Sequence, residues 1–533
     1  MASIGGLPGL PGILETTDPA EKAAIIAESV LADLPEETAL VARRCVILHW
    51  FDQHIISALL PEESRGDPAT IYARLTSLPF VEPWRSTSTY HDLTRQGLLA
   101  RYTNTQPDTL ITAAKRAAPA YETWGGNEQE NAQAKAEAFF CYTVAGESGK
   151  AIGLLNKIWE TPLTLSEDDW ARYAYYSQVQ DEAESLPFVE PLTLESRHWM
   201  FWGIAHYFNQ DYTAAIESYD RAIELNPEYA TAYSNRGTAY AALQEYERAI
   251  ESYDRAIELN PKYATAYSNR GNAYSALQEY ERAIESYDRA IELNPEDATA
   301  YSNRGTAYAA LQEYERAIES YDRAIELNPE DATAYYNRGT AYSDLQEYER
   351  AIESYDRAIE LNPEDATAYS NRGNAYAALQ EYERAIESYD RAIELNPEDA
   401  TAYSNRGTAY SDLQEYERAI ESYDRAIELN PEYATAYSNR GNAYSDLQEY
   451  ERAIESYDRA IELNPEYATA YYNKACAYAL MKKSTESCNY LKQAITLDEK
   501  CRELAQTDTD FDPIRYHPPF QSLLGNHNPK LGA

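Results

Sequence analysis

Seven histidines, five cysteines and many carboxylates are the groups in this 533-residue chain that could carry acid–base, nucleophilic or metal chemistry. His49, His54, His91, His198, His206, His517 and His527 form no ligand pair, and His49 and His54 stand five apart on a helical pattern, a poor angle for sharing one metal. Cys45, Cys141, Cys476, Cys488 and Cys501 are odd in number and scattered, with no Cys-x-x-Cys spacing. They argue for a reduced, cytoplasmic protein. The run AGESGKA around Gly146 has the Gly-Lys pair of a phosphate-binding loop, but Val144 replaces the first glycine and Ala151 the magnesium-holding Ser or Thr. No Gly-x-Ser-x-Gly elbow, dinucleotide fingerprint or zinc motif occurs. Carboxylates recur as solvated stripes, with Glu251 four residues before Arg255 in the spacing of an exposed ion pair worth roughly 0.2–0.5 kcal/mol. The expectation is a non-enzyme without metal or cofactor.

The net charge of −42 repels phosphate backbones and anionic membranes. It favours a basic or neutral protein partner over nucleic acid. The opening MASIGGLPGLPGIL has no basic region before its apolar stretch, and no apolar run is long enough to span a bilayer. Secretion and membrane insertion are therefore not expected.

The elements that would position any site follow one period. The thirty-four-residue phrase ATAYSNRGTAYAALQEYERAIESYDRAIELNPKY begins at Ala230 and returns almost unchanged from Ala264, Ala298, Ala332, Ala366, Ala400 and Ala434, with diverged units from Ser196 and Ala468. Tyr233, Gly237, Tyr240 and Leu243, then Tyr246, Ile250, Tyr253 and Ile257, recur three or four apart and predict two amphipathic helices per unit. Gly237, Ala239, Ala249 and Ala256 suit their close approach, Gln244 and Glu245 fall in the turn, and Asn226-Pro227 reads as N-cap and first residue of the first helix. Neither helix buries its apolar face alone, so stacked neighbours supply the core.

The spacing of Tyr, Gly, Tyr, Ala, Tyr, Ala and Pro resembles the tetratricopeptide repeat over Ser196 to about Cys501. The resemblance implies an all-α, right-handed superhelical solenoid of about nine hairpins whose first helices line a groove that binds peptide segments of other proteins. Arg236 departs from the family's aliphatic residue; its stem can pack while the guanidinium reaches solvent or a neighbouring acid.

Ahead of the array, residues 1–17 read as a loose terminus and 18–109 as three or so helices followed by extended runs at PFVEPW and STSTYH. With YHDLTRQGLLARYTN this part resembles the winged-helix element of signal-transduction ATPases with numerous domains. Tyr90, His91 and Asp92 match a motif that touches nucleotide in that family. No phosphate loop fits in the residues upstream, so His91 is a vestigial candidate, or the chain is a piece of a larger signalling ATPase or the sensor arm of a separate one. DNA binding through Arg43, Arg44, Arg74, Arg85 and Arg95 is the third reading. Residues 110–195 read as irregular helical hairpins in which Trp199, Phe201 and Trp202 of the next unit find their packing, and 502–533 as capping helices and tail.

Outside the loop positions around Glu296 and Asp297, the seven clean units differ at Ser234, Thr238, Ala241 and Ala242 and their equivalents, one stripe on the first helix. Exposed second-helix positions such as Glu247, Arg248, Glu251 and Asp254 do not vary. The stripe offers Tyr336 and the carboxylates Asp344, Asp412 and Asp446. Beside it run Asn235, Asn269, Asn303, Asn337, Asn371, Asn405, Asn439 and Asn473, a ladder of amides able to hold an extended peptide backbone. These residues form the candidate peptide-binding site.

Overall fold

The computed structural model describes residues 18–60, 66–78, 81–84, 87–90, 92–124, 128–159, 182–183, 185–187, 189, 192 and 194–525. The expected loose terminus, His91, Arg85, His527 and the end of the tail lie outside the described residues. The chain divides into two compact units, Met1–Ala273 and Tyr274–Ala533.

In the first unit, helices Pro19–Ala32, Glu36–Cys45, Gln53–Leu59 and Pro68–Thr76 come first. Three of them start where an aspartate, Asp18, Asp52 or Asp67, accepts a hydrogen bond from a first-turn N–H. The extended runs form an antiparallel pair, β1 (Val81–Trp84) and β2 (Thr87–Tyr90), with Val81 opposite Tyr90. Helices Asp92–Thr105, Pro107–Glu122, Glu128–Val144 and Ser148–Trp159 follow. AGESGKA spans the turn after the helix Glu128–Val144, with Gly146 at φ 72°, and the first residues of the helix Ser148–Trp159, whereas a phosphate loop follows a strand. One buried core runs from Ala24 through Trp50, Phe51, Tyr121 and Phe139 to Trp202, with Trp199 packed against it. Residues on both sides of the expected boundary at 109 therefore share a core, and the first repeat-like helix, Ser196–Phe208, is anchored in it.

Nine helix pairs follow among the described residues, beginning at Ser196 and ending at Leu497. In the pair Ala366–Ala378 and Tyr382–Leu395, Ala375, Ala385, Tyr389 and Ala392 are buried. Burying each tyrosine ring contributes about 2 kcal/mol. A Cβ on Gly373 would come within 2.6 Å of the Tyr389 ring, which is why the helices approach here on glycine. The turn glutamines, Gln380 among them, take φ near 62°, a left-handed conformation uncommon for a residue with a side chain.

One cap differs from expectation. Asn226 does not begin a helix: it ends Tyr212–Leu225, and its Oδ1 accepts from the Glu228 N–H while Pro227 occupies the turn. The next helix starts at Ala230, so the true N-cap positions are Tyr229, Asp297, Asp331, Asp365, Asp399, Tyr433 and Tyr467. The aspartates cap with their carboxylates, and the tyrosines make no such bond.

Candidate functional site

Inter-hairpin bonds account for residues that look like free surface in the sequence. In the first unit Arg236 donates to Asp220 at 2.6 Å and Arg270 to Asp254 at 2.6 Å. In the second, Arg338, Arg372, Arg406 and Arg440 reach Asp322, Asp356, Asp390 and Asp424 in the same way, each also donating to a serine of its own hairpin. The acids are nearly half exposed, so each pair is worth about 1 kcal/mol or less. Asp254 and its equivalents are thus junction residues. Arg248 donates to Glu245 and to the Tyr240 hydroxyl. Arg255 pairs with Glu258 at 2.7 Å, correcting the expected Glu251–Arg255 pair.

The variable stripe is only partly open. Ser234 is 2% exposed, and Ser268, Ser370, Ser404 and Ser438 at the same register are buried as well, while Ser302 is half-buried; tyrosine takes the position at half-buried Tyr336 and buried Tyr472. At the Thr238 register the residue is a hydrogen-bond node. Tyr253 donates to Thr238, and in the second unit Tyr321 to Thr306 and Tyr423 to Thr408, each at 3.2 Å. Where asparagine stands instead, Tyr389 donates to Asn374 and Tyr457 to Asn442.

That node decides the state of the ladder. Asn405 donates to Asn374 at 3.0 Å and Asn473 to Asn442 at 2.8 Å. Asn371 donates to the Tyr336 hydroxyl at 2.9 Å. Asn269, Asn337 and Asn439, each following a threonine, are half-buried and make no side-chain hydrogen bond. Asn235 bonds Tyr219, and Asn303 is half-buried. Asp344, Asp412 and Asp446 are exposed at their helix ends without an ion pair among the described residues, and partial burial of their carboxyls raises each pKa.

The first unit brings together charges that no local spacing announces. His49 Nδ1 lies 2.9 Å from Glu137 and Nε2 2.7 Å from Glu182, which also pairs with Arg95 at 2.8 Å. Burial alone would lower the His49 pKa, but the Glu137 charge and hydrogen bonds to both glutamates outweigh it and hold the imidazole at about 9. Burial works against the Glu182 carboxylate as well, yet His49 and Arg95 draw it down to about 2. At neutral pH this is an ion-paired imidazolium, occupied at both nitrogens and unsuited to general base catalysis. Arg43 bonds Glu28, Arg44 the Leu59 carbonyl, and Arg95 the Leu48 and Ile47 carbonyls. Only Arg74 of the five candidate DNA-contacting arginines is described and exposed without such a bond.

At the end of the second unit, ligand-type atoms of Cys476, Asp508 and Asp510 lie within 4.8 Å of one another. All five cysteines are buried and unpaired with one another. No described helix is long and apolar enough to cross a membrane.

Family models described as tetratricopeptide or TPR repeats match residues 203–244, 237–278, 271–312, 305–346, 336–400, 388–421, 407–448, 434–467 and 456–489. No curated protein matches the sequence. Among solved structures, YrrB, described as a TPR protein with an unusual peptide-binding site, is 30% identical, with 36% of this chain covering 98% of that one at a TM-score of 0.33. The C-terminal part of a TPR repeat-containing protein from Cytophaga hutchinsonii is 20% identical, with 46% and 99% covered and a TM-score of 0.41. MamA from Desulfovibrio magneticus RS-1 is 24% identical, with 32% and 96% covered and a TM-score of 0.31.

Proposed function

The chain belongs to the tetratricopeptide repeat family, and from that premise we propose that it is a non-catalytic protein–protein interaction scaffold that holds an extended, basic or neutral segment on the first-helix face of its second unit. The observation that carries this reading is the row of amides Asn337, Asn371, Asn405, Asn439 and Asn473, half-buried on successive hairpins. An amide donates and accepts, so such a row matches the alternating N–H and C=O groups of an extended backbone whatever its side chains. Exposed Asp344, Asp412 and Asp446 add attraction for lysine or arginine on the segment. Asn337 and Asn439, with no internal bond, are the rungs that meet the backbone most readily. The test is selection of a phage-displayed random peptide library against the full chain, followed by titration of the best binder against Asn337→Ala/Asn439→Ala. Weakened binding supports the reading, and unchanged binding removes this face as the site.

A further inference from the structure

The last hairpin departs from the others on the same face. In the helix Ala468–Leu480, Tyr472 stands at the Ser234 register, Cys476 at the Thr238 register, and Leu480 where Asp446 stands one hairpin earlier. At the Thr238 register Thr306, Asn374 and Thr408 are exposed, but Cys476 is only 5% exposed. The difference is a covering segment. After the helix Lys500–Thr507 the chain turns into a 3-10 helix, Thr509–Ile514, which lies on Ala468–Leu480.

Three residues per turn place Asp508, Phe511 and Ile514 on one side of that segment. Asp508 accepts from the Tyr472 hydroxyl at 2.7 Å and from the Cys476 thiol at 3.7 Å. Phe511 is fully buried, its ring edge-on to Tyr472 at 5.7 Å, and Ile514 is 3% exposed. Thr509, Asp512 and Pro513, on the other side, are exposed. The pattern is that of a ligand docked by an acid and, three residues later, an aromatic anchor.

We propose that the groove face of the last hairpin is a recognition site for an acid-x-x-aromatic turn, filled here by residues 508–514 of the chain itself, and that a partner segment of the same chemistry competes for it. The hairpin offers Tyr472 and Cys476 as donors to an acid and carries Leu480 where Asp446 stands one hairpin earlier, so it lacks the carboxylate that would repel one. The site rests on Tyr472 and Cys476 rather than on the amide of Asn473, which stands on the same helix.

Cys476 reports occupancy. Full-length protein and its Phe511→Ala variant are alkylated with iodoacetamide and modification is read residue by residue by mass spectrometry, with and without a synthetic peptide TDTDFDPIRY. Opening the segment exposes the thiol, so Cys476 modification in the variant rises roughly tenfold or more over the intact chain. Excess peptide restores protection, and the same peptide with alanine for its phenylalanine does not. Asp508→Asn, which keeps the apolar packing, gives a smaller rise at Cys476 alone. Cys476 remaining unreactive in Phe511→Ala, or rising without protection by the peptide, overturns the proposal. So does equal exposure of Cys488 and Cys501, which would make the segment a plug for the core rather than an occupant of a site.

Discussion

Asn405 donates its side-chain N–H to Asn374 on the preceding hairpin at 3.0 Å, and Asn473 does the same to Asn442 at 2.8 Å, so asparagine at the node ties up the amide one hairpin on in both places. Substituting Asn374→Thr frees Asn405, and Thr408→Asn ties up Asn439. With a bound extended peptide, the first change strengthens and the second weakens affinity, each by about two- to tenfold, the range of one net hydrogen bond. Fluorescence anisotropy with a selected peptide reads both.

Gly373 lies where a Cβ would sit 2.6 Å from Tyr389 Cε1. Gly373→Ala must displace a ring that is 2% exposed and bonded to Asn374, at a cost of about 1–3 kcal/mol. Gly149 has nothing within 4 Å of its added Cβ, so Gly149→Ala is neutral or stabilising by up to about 1 kcal/mol. Thermal denaturation followed by circular dichroism separates the two.

Helix starts in the array differ in cap. Asp365 accepts from the Thr367 and Ala368 N–H groups, whereas Tyr433 at the equivalent position accepts nothing. Asp365→Ala loses about 0.5–2 kcal/mol and Tyr433→Asp gains a comparable amount. Hydrogen exchange over the first turns of Ala366–Ala378 and Ala434–Asp446 localises both effects.

The His49 cluster makes the first unit pH-sensitive in a defined direction. The His49 pKa is raised from 6.5 to about 9, so its contribution is full below about 6.5 and is lost as pH rises toward 9. The Glu182 pKa is lowered from 4.5 to about 2, so its contribution is present above about 4.5 and is lost as pH falls toward 2. Both are complete between about 4.5 and 6.5. The His49 share amounts to a few kcal/mol, on the order of 3. Urea unfolding followed through the tryptophan fluorescence of Trp50 and Trp124 shows stability falling from pH 6 to pH 9 in the native chain, and a flatter profile in His49→Gln.

How far the sequence reaches is clear from particular residues. Tyr233, Gly237, Ala249 and Tyr253 recur at helical spacing, and that local period is enough to read each hairpin and its turn at Gln244. It could not separate Asn226 as a helix end from Asn226 as a helix start, because an Asn-Pro pair suits both, and the real cap falls three residues on at Tyr229 or its aspartate equivalents. Along the stripe most of the Thr238 and Ala242 registers are accessible, whereas Ser234, Ser268, Ser370, Ser404 and Ser438 are buried, which no one-residue period announces. His49 and Glu137 are 88 residues apart, and Tyr472 and Asp508 are 36 apart. Such contacts exist only once the core has folded, so no spacing rule could have paired them.

The account's central claim is that a protein segment lies along the asparagines of the second unit, held most readily where the amides have no internal partner. Isothermal titration of the full chain with one selected peptide, comparing Asn337→Ala/Asn439→Ala with Asn371→Ala/Asn405→Ala, tests it most directly. The account predicts about a tenfold or greater loss of affinity for the first pair, as for two lost hydrogen bonds, and a smaller loss for the second, with helical content unchanged in both. Equal affinity for the native chain and the Asn337/Asn439 variant would contradict it.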